Sequence, residues 1–500
     1  MSVRDKVLKS YQNPRFYLAL WALIFSVFAV LLFSTSTSPI YPLTNADFIN
    51  LDSNFFFYEA SLWLKGQTPY LDFFDHKGLY HLAINALALL LGGRYALFVI
   101  QILFGFVGVY VLFLAIHLLA GERKSLFLLA GFLYLSLYAM GSSGNVEGEW
   151  VLPYVSLAYY YYLKGMRKPS PCSFRLASFF AGVEVGCSLN SRPLDGLWGG
   201  AIAVSFFVYA LRKKIGWELL YDALFAILGL GLVYALILPF AIHGGYLQAM
   251  MKAIFVDSFS YAGSSAWNRG RWLNRLLIVL VYALGVLFFL YQKKKGAFDI
   301  ALFFFLSASI AAPLYFIFAR FTTYYWSGYT FYILNLVYAV SLLPLIGKAK
   351  KLSWASPLLY FWATFALVWS ISLTALYYTV GLRNFSYLSS ENTINFVLSI
   401  DEKERTKKGN VFALDCDAAV YTIGGITTNE KYLVNQSNWS SFVPGVKEEL
   451  ERYLSSVEKP HYLLVNENDP ITLANFSALI EKNYNYSRRS DNNIALYLSK

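Results

Sequence analysis

Apolar runs broken by short charged clusters fill the first 378 residues, and most are long enough to cross about 30 Å of hydrocarbon as helices. Marked off by their charges, they fall at 16–34, 95–119, 125–141, 150–163, 176–190, 196–211, 218–241, 272–291, 298–318, 327–346 and 353–378. One further run, LYHLAINALALLLGG at 79–93, is too short to cross comfortably, and charge decides its placement. With 79–93 outside the bilayer core, Arg123–Lys124, Lys164/Arg167/Lys168/Arg175, Arg212–Lys214, Lys293–Lys295 and Lys348/Lys350/Lys351 all share the side of the basic N-terminus, as the positive-inside rule requires. With it crossing, the agreement breaks from the second cluster onward. The pattern predicts a polytopic α-helical membrane protein with about eleven transmembrane helices and a cytoplasmic N-terminus. Residues 1–378 form its membrane domain, with a long first outer loop at 35–94 and a helix at 79–93 along the outer interface. The basic stretch MSVRDKVLKSYQNPR before the first run also suits a signal peptide, but no small-x-small cleavage site follows, so a retained first helix is expected.

Beyond Tyr378 the periodicity changes. VFALD (411–415) and HYLLV (461–465) read as short buried strands, and SFVPGVKEELERYLSSVEK (441–459) has helical spacing. Residues 379–500 are therefore expected to form a small α/β domain, extracytoplasmic by the same topology.

Composition narrows the function classes. With 57% hydrophobic and only 14% charged residues, the chain is no ordinary soluble enzyme. The net charge of +11 comes from clusters between apolar runs, with no continuous basic face, which argues against a nucleic-acid partner. The three cysteines show no CxxC or metal-ligand spacing, and Asp415 and Asp417 read as ordinary loop residues. No metal or other cofactor is implied, and no Walker A, Rossmann or heme motif occurs. The expected location is the plasma or inner membrane.

Acidic residues of the membrane half gather in the outer loops: Asp47, Asp52, Glu59, Asp72, Asp75, Glu147, Glu149, Asp195 and Asp257. The first loop, LDSNFFFYEASLWLKGQTPYLDFFDHKGLYHL (51–82), carries the strongest signal. From Phe55 to Leu64 it suits an aromatic-rich amphipathic interfacial helix, with Asp52 at its start as either a helix cap or a catalytic carboxylate. Glu147 and Glu149 stand where a helix begins, and so serve either its dipole or a ligand. Arg192 lies in NSRPLD before Pro193, whereas Arg269 and Arg271 also suit snorkelling at a helix end.

An acidic residue soon after the first span, an aromatic helix, then G-x-x-P-Y-x-D-x-x-D-H-K-G resembles the first loop of the C superfamily of membrane glycosyltransferases. That superfamily (the GT-C fold) includes protein O-mannosyltransferases and the aminoarabinose and arabinofuranose transferases of bacterial envelopes. The resemblance covers the whole layout, although DHKG stands where many relatives have a K-P-P-type turn. It implies an enzyme that moves a sugar, with inversion, from a polyprenyl-phosphate donor in the bilayer to an outer-face acceptor on a glycan, lipid or protein. By similarity Asp52 is the candidate base that takes the acceptor's proton, with Asp47 as runner-up. Lys77 is the candidate ligand for the donor phosphate, with Arg192, Arg269, Arg271 and Arg320 as further cations. Asp75, His76 and one of Glu147 or Glu149 are candidates to hold substrate hydroxyls. The competing readings are a polyprenyl-linked glycan polymerase or ligase, which needs no aspartate directly after the first helix, and a flippase, which would carry mid-span charges and repeated halves.

Overall fold

The computed structural model describes residues 14–34, 37–40, 51–120, scattered residues of 127–138, 144–258 apart from 169, 214 and 215, and 395–500 apart from 417, 435, 469 and 492. The four expected spans between 272 and 378, most of 125–141, and Asp47, Arg269, Arg271 and Arg320 lie outside the described residues. The chain divides into two compact units. Of the described residues, those within 14–34 and 98–237 belong to the first, and those within 37–40, 51–97, 238–258 and 395–500 to the second.

The first unit is helical. It contains α1 (Pro14–Phe33), most of α4 (Arg94–Ala120), α5 (Glu147–Arg167), α6 (Pro171–Leu189), α7 (Leu197–Lys213) and most of α8 (Gly216–His243). Proline opens α1 and α6 at the first turn, where its missing N–H would have had no helical partner in any case. Among the described residues, four helices are long and apolar enough to cross a bilayer: α1, α4, α6 and α8. Two other expected spans are helical but outside this group, because α5 carries Glu147, Glu149, Lys164 and Arg167 and α7 has only 17 residues. Helices α6 and α8 touch backbone to backbone. A Cβ at Gly182 would overlap the carbonyl oxygen of Ala226, and one at Gly229 that of Phe179, so glycine alone permits this approach. Away from this contact α8 exposes Leu220, Leu224 and Ile227, which suits hydrocarbon as the surrounding solvent. The chain is a multi-pass membrane protein.

The second unit joins the first loop to the C-terminal residues. Helix α2 (Leu51–Leu64) and helix α3 (Leu79–Leu91) pack together, and α3 ends at Gly92 and Gly93, both at positive φ. With 13 residues, α3 is about 20 Å long at 1.5 Å per residue, short of a bilayer core. The sequence predicts α2 as an interfacial helix with one buried face, and here the structure differs. Phe55, Phe56, Tyr58, Glu59, Ala60 and Leu62 are all buried, because α3 covers one side and C-terminal residues cover another. Tyr58 stacks on Tyr421 with ring centroids 5.1 Å apart and donates to the carbonyl of Ile426 at 2.8 Å.

The C-terminal domain has a four-stranded sheet in the order β1-β2-β4-β3. β1 (Val411–Leu414) runs parallel to β2 (Tyr462–Asn466), and β4 (Ile494–Ser499) is antiparallel to both β2 and β3 (Tyr484–Arg489). β1 is buried along its whole length, as its all-apolar VFAL predicts. The edge strand β3 buries only Tyr484 and ends in Arg488 and Arg489, charges that discourage pairing with another chain. The helix expected over 441–459 is instead two. Pro444 and Gly445, the latter at φ 89°, separate Gln436–Phe442 from Val446–Ser455.

Candidate functional site

The first-loop motif folds into a strap without regular structure between α2 and α3, and side-chain alternation sorts its residues. Asp75 and Lys77 turn toward α2, and Phe74 and His76 toward the C-terminal domain. The Lys77 ammonium lies 3.9 Å from Asp75 Oδ1 and 4.6 Å from the centre of the Phe56 ring. His76 Nδ1 is 3.1 Å from the same carboxylate oxygen. Burial opposes the charge on Asp75, but the Lys77 ammonium and the adjacent His76 imidazole outweigh it and hold Asp75 well below the usual carboxylate range. Asp75 is thus a poor proton acceptor and a good partner for a cation.

Glu59, one of the outer-loop acids but not among the candidate site residues, faces the same place. It is 2% exposed, and its Oε1 is buried without a hydrogen-bond partner. Burial, aided by the Asp75 charge, raises its pKa well above normal, with Lys77 opposing. Glu59, Asp75 and Lys77 line one small cavity with Phe56, Tyr70 and His81, with room for about one water-sized group. A sugar ring does not fit there. Pro69 also lines a second cleft, of about 460 Å³, walled by Trp63, Phe240, His243 and Tyr246 where α8 ends. That volume lies within the range of small-molecule sites. The sequence signal for Glu59 was its place three residues after Phe56 in an otherwise aromatic helix.

Asp52 is the second residue of α2; its side chain lies outside the description. Position 52 precedes Phe56 by four residues and Glu59 by seven, so helical periodicity puts it on the face that leads to Lys77.

The remaining described candidates belong to the first unit. Glu149 is fully buried and accepts hydrogen bonds from Gln101 Nε2 at 3.1 Å, the backbone N–H of Asn145 at 3.0 Å, and the Tyr138 hydroxyl. Gly144, at φ 83°, lets that loop pass where any Cβ would overlap the Ser34 hydroxyl. Glu147 is also buried, in the first turn of α5. Arg192 sits in the turn after α6, where its carbonyl accepts from the N–H of Asp195 at 2.9 Å. The structure therefore gathers Asp75, His76 and Lys77 in one unit and Glu147, Glu149 and Arg192 in the other.

Asp415, at φ 52°, is a structural residue. Its carboxylate accepts from the N–H of Ser437 at 3.1 Å, at the start of helix Gln436–Phe442, and from the Thr472 hydroxyl. Among the described residues, no group of three or more His, Cys, Asp or Glu is placed to hold a metal ion.

No family model matches the sequence, and a search of curated proteins finds no match. Solved structures do match. Over 95% of this chain and 97% of its own, the crystal structure of ArnT from Cupriavidus metallidurans in the apo state superposes with a TM-score of 0.54 at 12% identity. The fold is similar to that of the GT-C membrane glycosyltransferases. The Archaeoglobus fulgidus oligosaccharyltransferase aligns over 96% of this chain and 73% of its own, at 15% identity and a TM-score of 0.48.

Glu430 gives the second unit a pH dependence. Burial pushes its carboxyl up to about 7, with the Glu449 charge adding and the N–H groups of Tyr432 and Lys431 opposing. A carboxyl whose pKa is higher folded than unfolded binds more protons in the folded state, so stability falls as pH rises from about 4.5 through 7 and stays low above it. Glu59 acts in the same direction. Glu430→Gln keeps an oxygen for both N–H groups and cannot ionise. We expect it to stabilise the protein by about 1–3 kcal/mol at pH 8 and to change little at pH 5. Thermal unfolding of the solubilised chain at the two pH values measures this, and an equal effect at both would rule out Glu430 as the source.

Proposed function

We propose that this chain transfers a sugar from a polyprenyl-phosphate donor to a hydroxyl acceptor (glycan, lipid or protein) at the outer face of the membrane, with inversion. The observation that carries the reading is the Asp75–His76–Lys77 strap. It fixes a cation in the same loop whose Pro69 lines a ligand-sized cleft at the end of an apolar helix, in a chain whose fold is similar to that of ArnT. In the reaction the acceptor oxygen attacks the anomeric carbon, and the bond from that carbon to the phosphate oxygen breaks. The acceptor's proton passes to a carboxylate, Asp52 with Asp47 as runner-up, and the lipid phosphate leaves with an added negative charge. Lys77 stabilises that charge, with Arg192 and the loop arginines Arg269, Arg271 and Arg320 as further donors. Glu147 or Glu149 and the Asp75–His76 pair hold hydroxyls.

A transfer assay of the purified protein with a panel of polyprenyl-phosphate sugars tests the reading; no transfer from any donor of this class would remove it.

The topology is part of the proposal: residues 35–94 and 378–500 outside, 120–125 and 292–297 inside. The contacts of Tyr58 with Tyr421 and of Phe74 with Lys431 support it, because residues that touch share one side and require an even number of crossings between them. Ten of the eleven expected spans lie between these segments. Labelling of a cysteine at position 123 by an impermeant reagent added outside would reverse the assignment.

A further inference from the structure

The strap that carries Lys77 has no secondary structure to hold it, so its position depends on a few named contacts. Three are polar. The N–H of Phe74 donates to the carbonyl of Lys431 at 2.9 Å, the Tyr70 hydroxyl to the carbonyl of Lys77 at 2.7 Å, and the Ser258 hydroxyl to the carbonyl of His76 at 2.9 Å. Aromatic contacts add to these, and Trp439 makes two of them. The Trp439 ring meets Phe74 edge-on at 5.3 Å and His76 at 5.0 Å, and Tyr432 flanks Phe74 at 5.1 Å. Positions 74 and 76 alternate with 75 and 77, so a ring that fixes the first pair sets the direction of the second.

Trp439 is itself firmly placed. It is buried in the middle of helix Gln436–Phe442, whose first turn is tied to the end of β1. The Gln436 amide oxygen accepts from the N–H of Asp415 at 2.7 Å, and the Asp415 carboxylate accepts from the N–H of Ser437.

We propose that Trp439 is a positioning residue for Lys77: the C-terminal α/β domain, through this one ring, holds the strap so that the ammonium stays beside Asp75. The bracing stands on contacts alone, and its consequence for catalysis rests on the reading of Lys77 as the donor-phosphate ligand. The ring meets the strap at Phe74 and His76. It acts by restricting the backbone between Phe74 and Lys77, and two aromatic contacts of this kind contribute enough to change a local opening equilibrium about 3- to 10-fold.

The test uses the solubilised full-length chain and reads the rate at which an amine-acetylating reagent modifies Lys77, followed by mass spectrometry. Trp439→Ala should acetylate Lys77 about 3- to 10-fold faster than the wild type, while Trp439→Phe, which keeps a ring, stays close to the wild-type rate. Binding of undecaprenyl phosphate should weaken by a similar factor in Trp439→Ala and recover in Trp439→Phe. A wild-type acetylation rate in folded Trp439→Ala would overturn the proposal. If Trp439→Ala does not accumulate, Trp439→Leu, which keeps apolar volume without a ring, is read by the same criterion. Faster acetylation in a background where the wild type binds no undecaprenyl phosphate would uphold the bracing and sink the donor reading instead.

Discussion

Asp52→Asn is expected to reduce sugar transfer by about 10²-fold or more, the usual worth of a general base, while leaving expression and thermal midpoint nearly unchanged. The two halves of this expectation have separate causes. Asp52 is the second residue of α2, and Asn serves about as well as Asp near a helix start, so stability is kept. Proton acceptance is lost. Position 52 lies one and two turns before Phe56 and Glu59, which line the cavity with Lys77, so it shares their face of α2 by helical periodicity, and the proposal puts the donor phosphate at Lys77. The neighbouring acids are less suited. Asp75 is held ionised by Lys77, and Asp72 accepts from the N–H of Thr68 at 2.7 Å in an exposed turn. Single-turnover transfer by purified variants measures the effect. Near wild-type turnover in Asp52→Asn together with loss in Asp47→Asn would move the base to Asp47. Activity in both would end the proposed mechanism.

Lys77→Ala is expected to weaken donor use by about 1.5–3 kcal/mol, roughly 10- to 100-fold, the range for hydrogen bonds to charged groups. A second effect follows from the geometry. Removing the ammonium takes away the lysine partner of the buried Asp75 carboxylate, so the thermal midpoint should also fall. The two losses can be separated. Lys77→Ala combined with Asp75→Asn removes the uncompensated charge and should recover most of the stability but none of the donor affinity. Lys77→Arg retains charge with altered geometry and should retain part of both. Donor affinity unchanged in Lys77→Ala, by titration of the solubilised protein with a polyprenyl-phosphate sugar, would take this residue out of the site.

Much of the architecture was legible because it depends on local chemistry. A helix that crosses hydrocarbon must satisfy its own backbone, so length and apolar content alone marked α1, α4, α6 and α8. The brief run at 79–93 forms a short helix, as its length predicts, and VFAL forms a strand buried on both faces, as its all-apolar sequence predicts. Lys77 and Asp75 stood out by their place in the DHKG turn. What the sequence could not express is which distant surfaces meet. It gave α2 one buried face, whereas tertiary packing buries Tyr58 against Tyr421, some 360 residues away. It left Glu59 as one acid among many, and only the fold placed its carboxyl with Asp75 and Lys77 around one small buried cavity. It left Trp439 unremarked, because an aromatic residue in a short polar helix has no signature until Phe74 and His76 are brought against it. The need to satisfy backbone hydrogen bonds and to hide apolar surface is written locally, residue by residue. The pairing of buried charges and rings is a property of where the chain returns, and only the tertiary structure decided it.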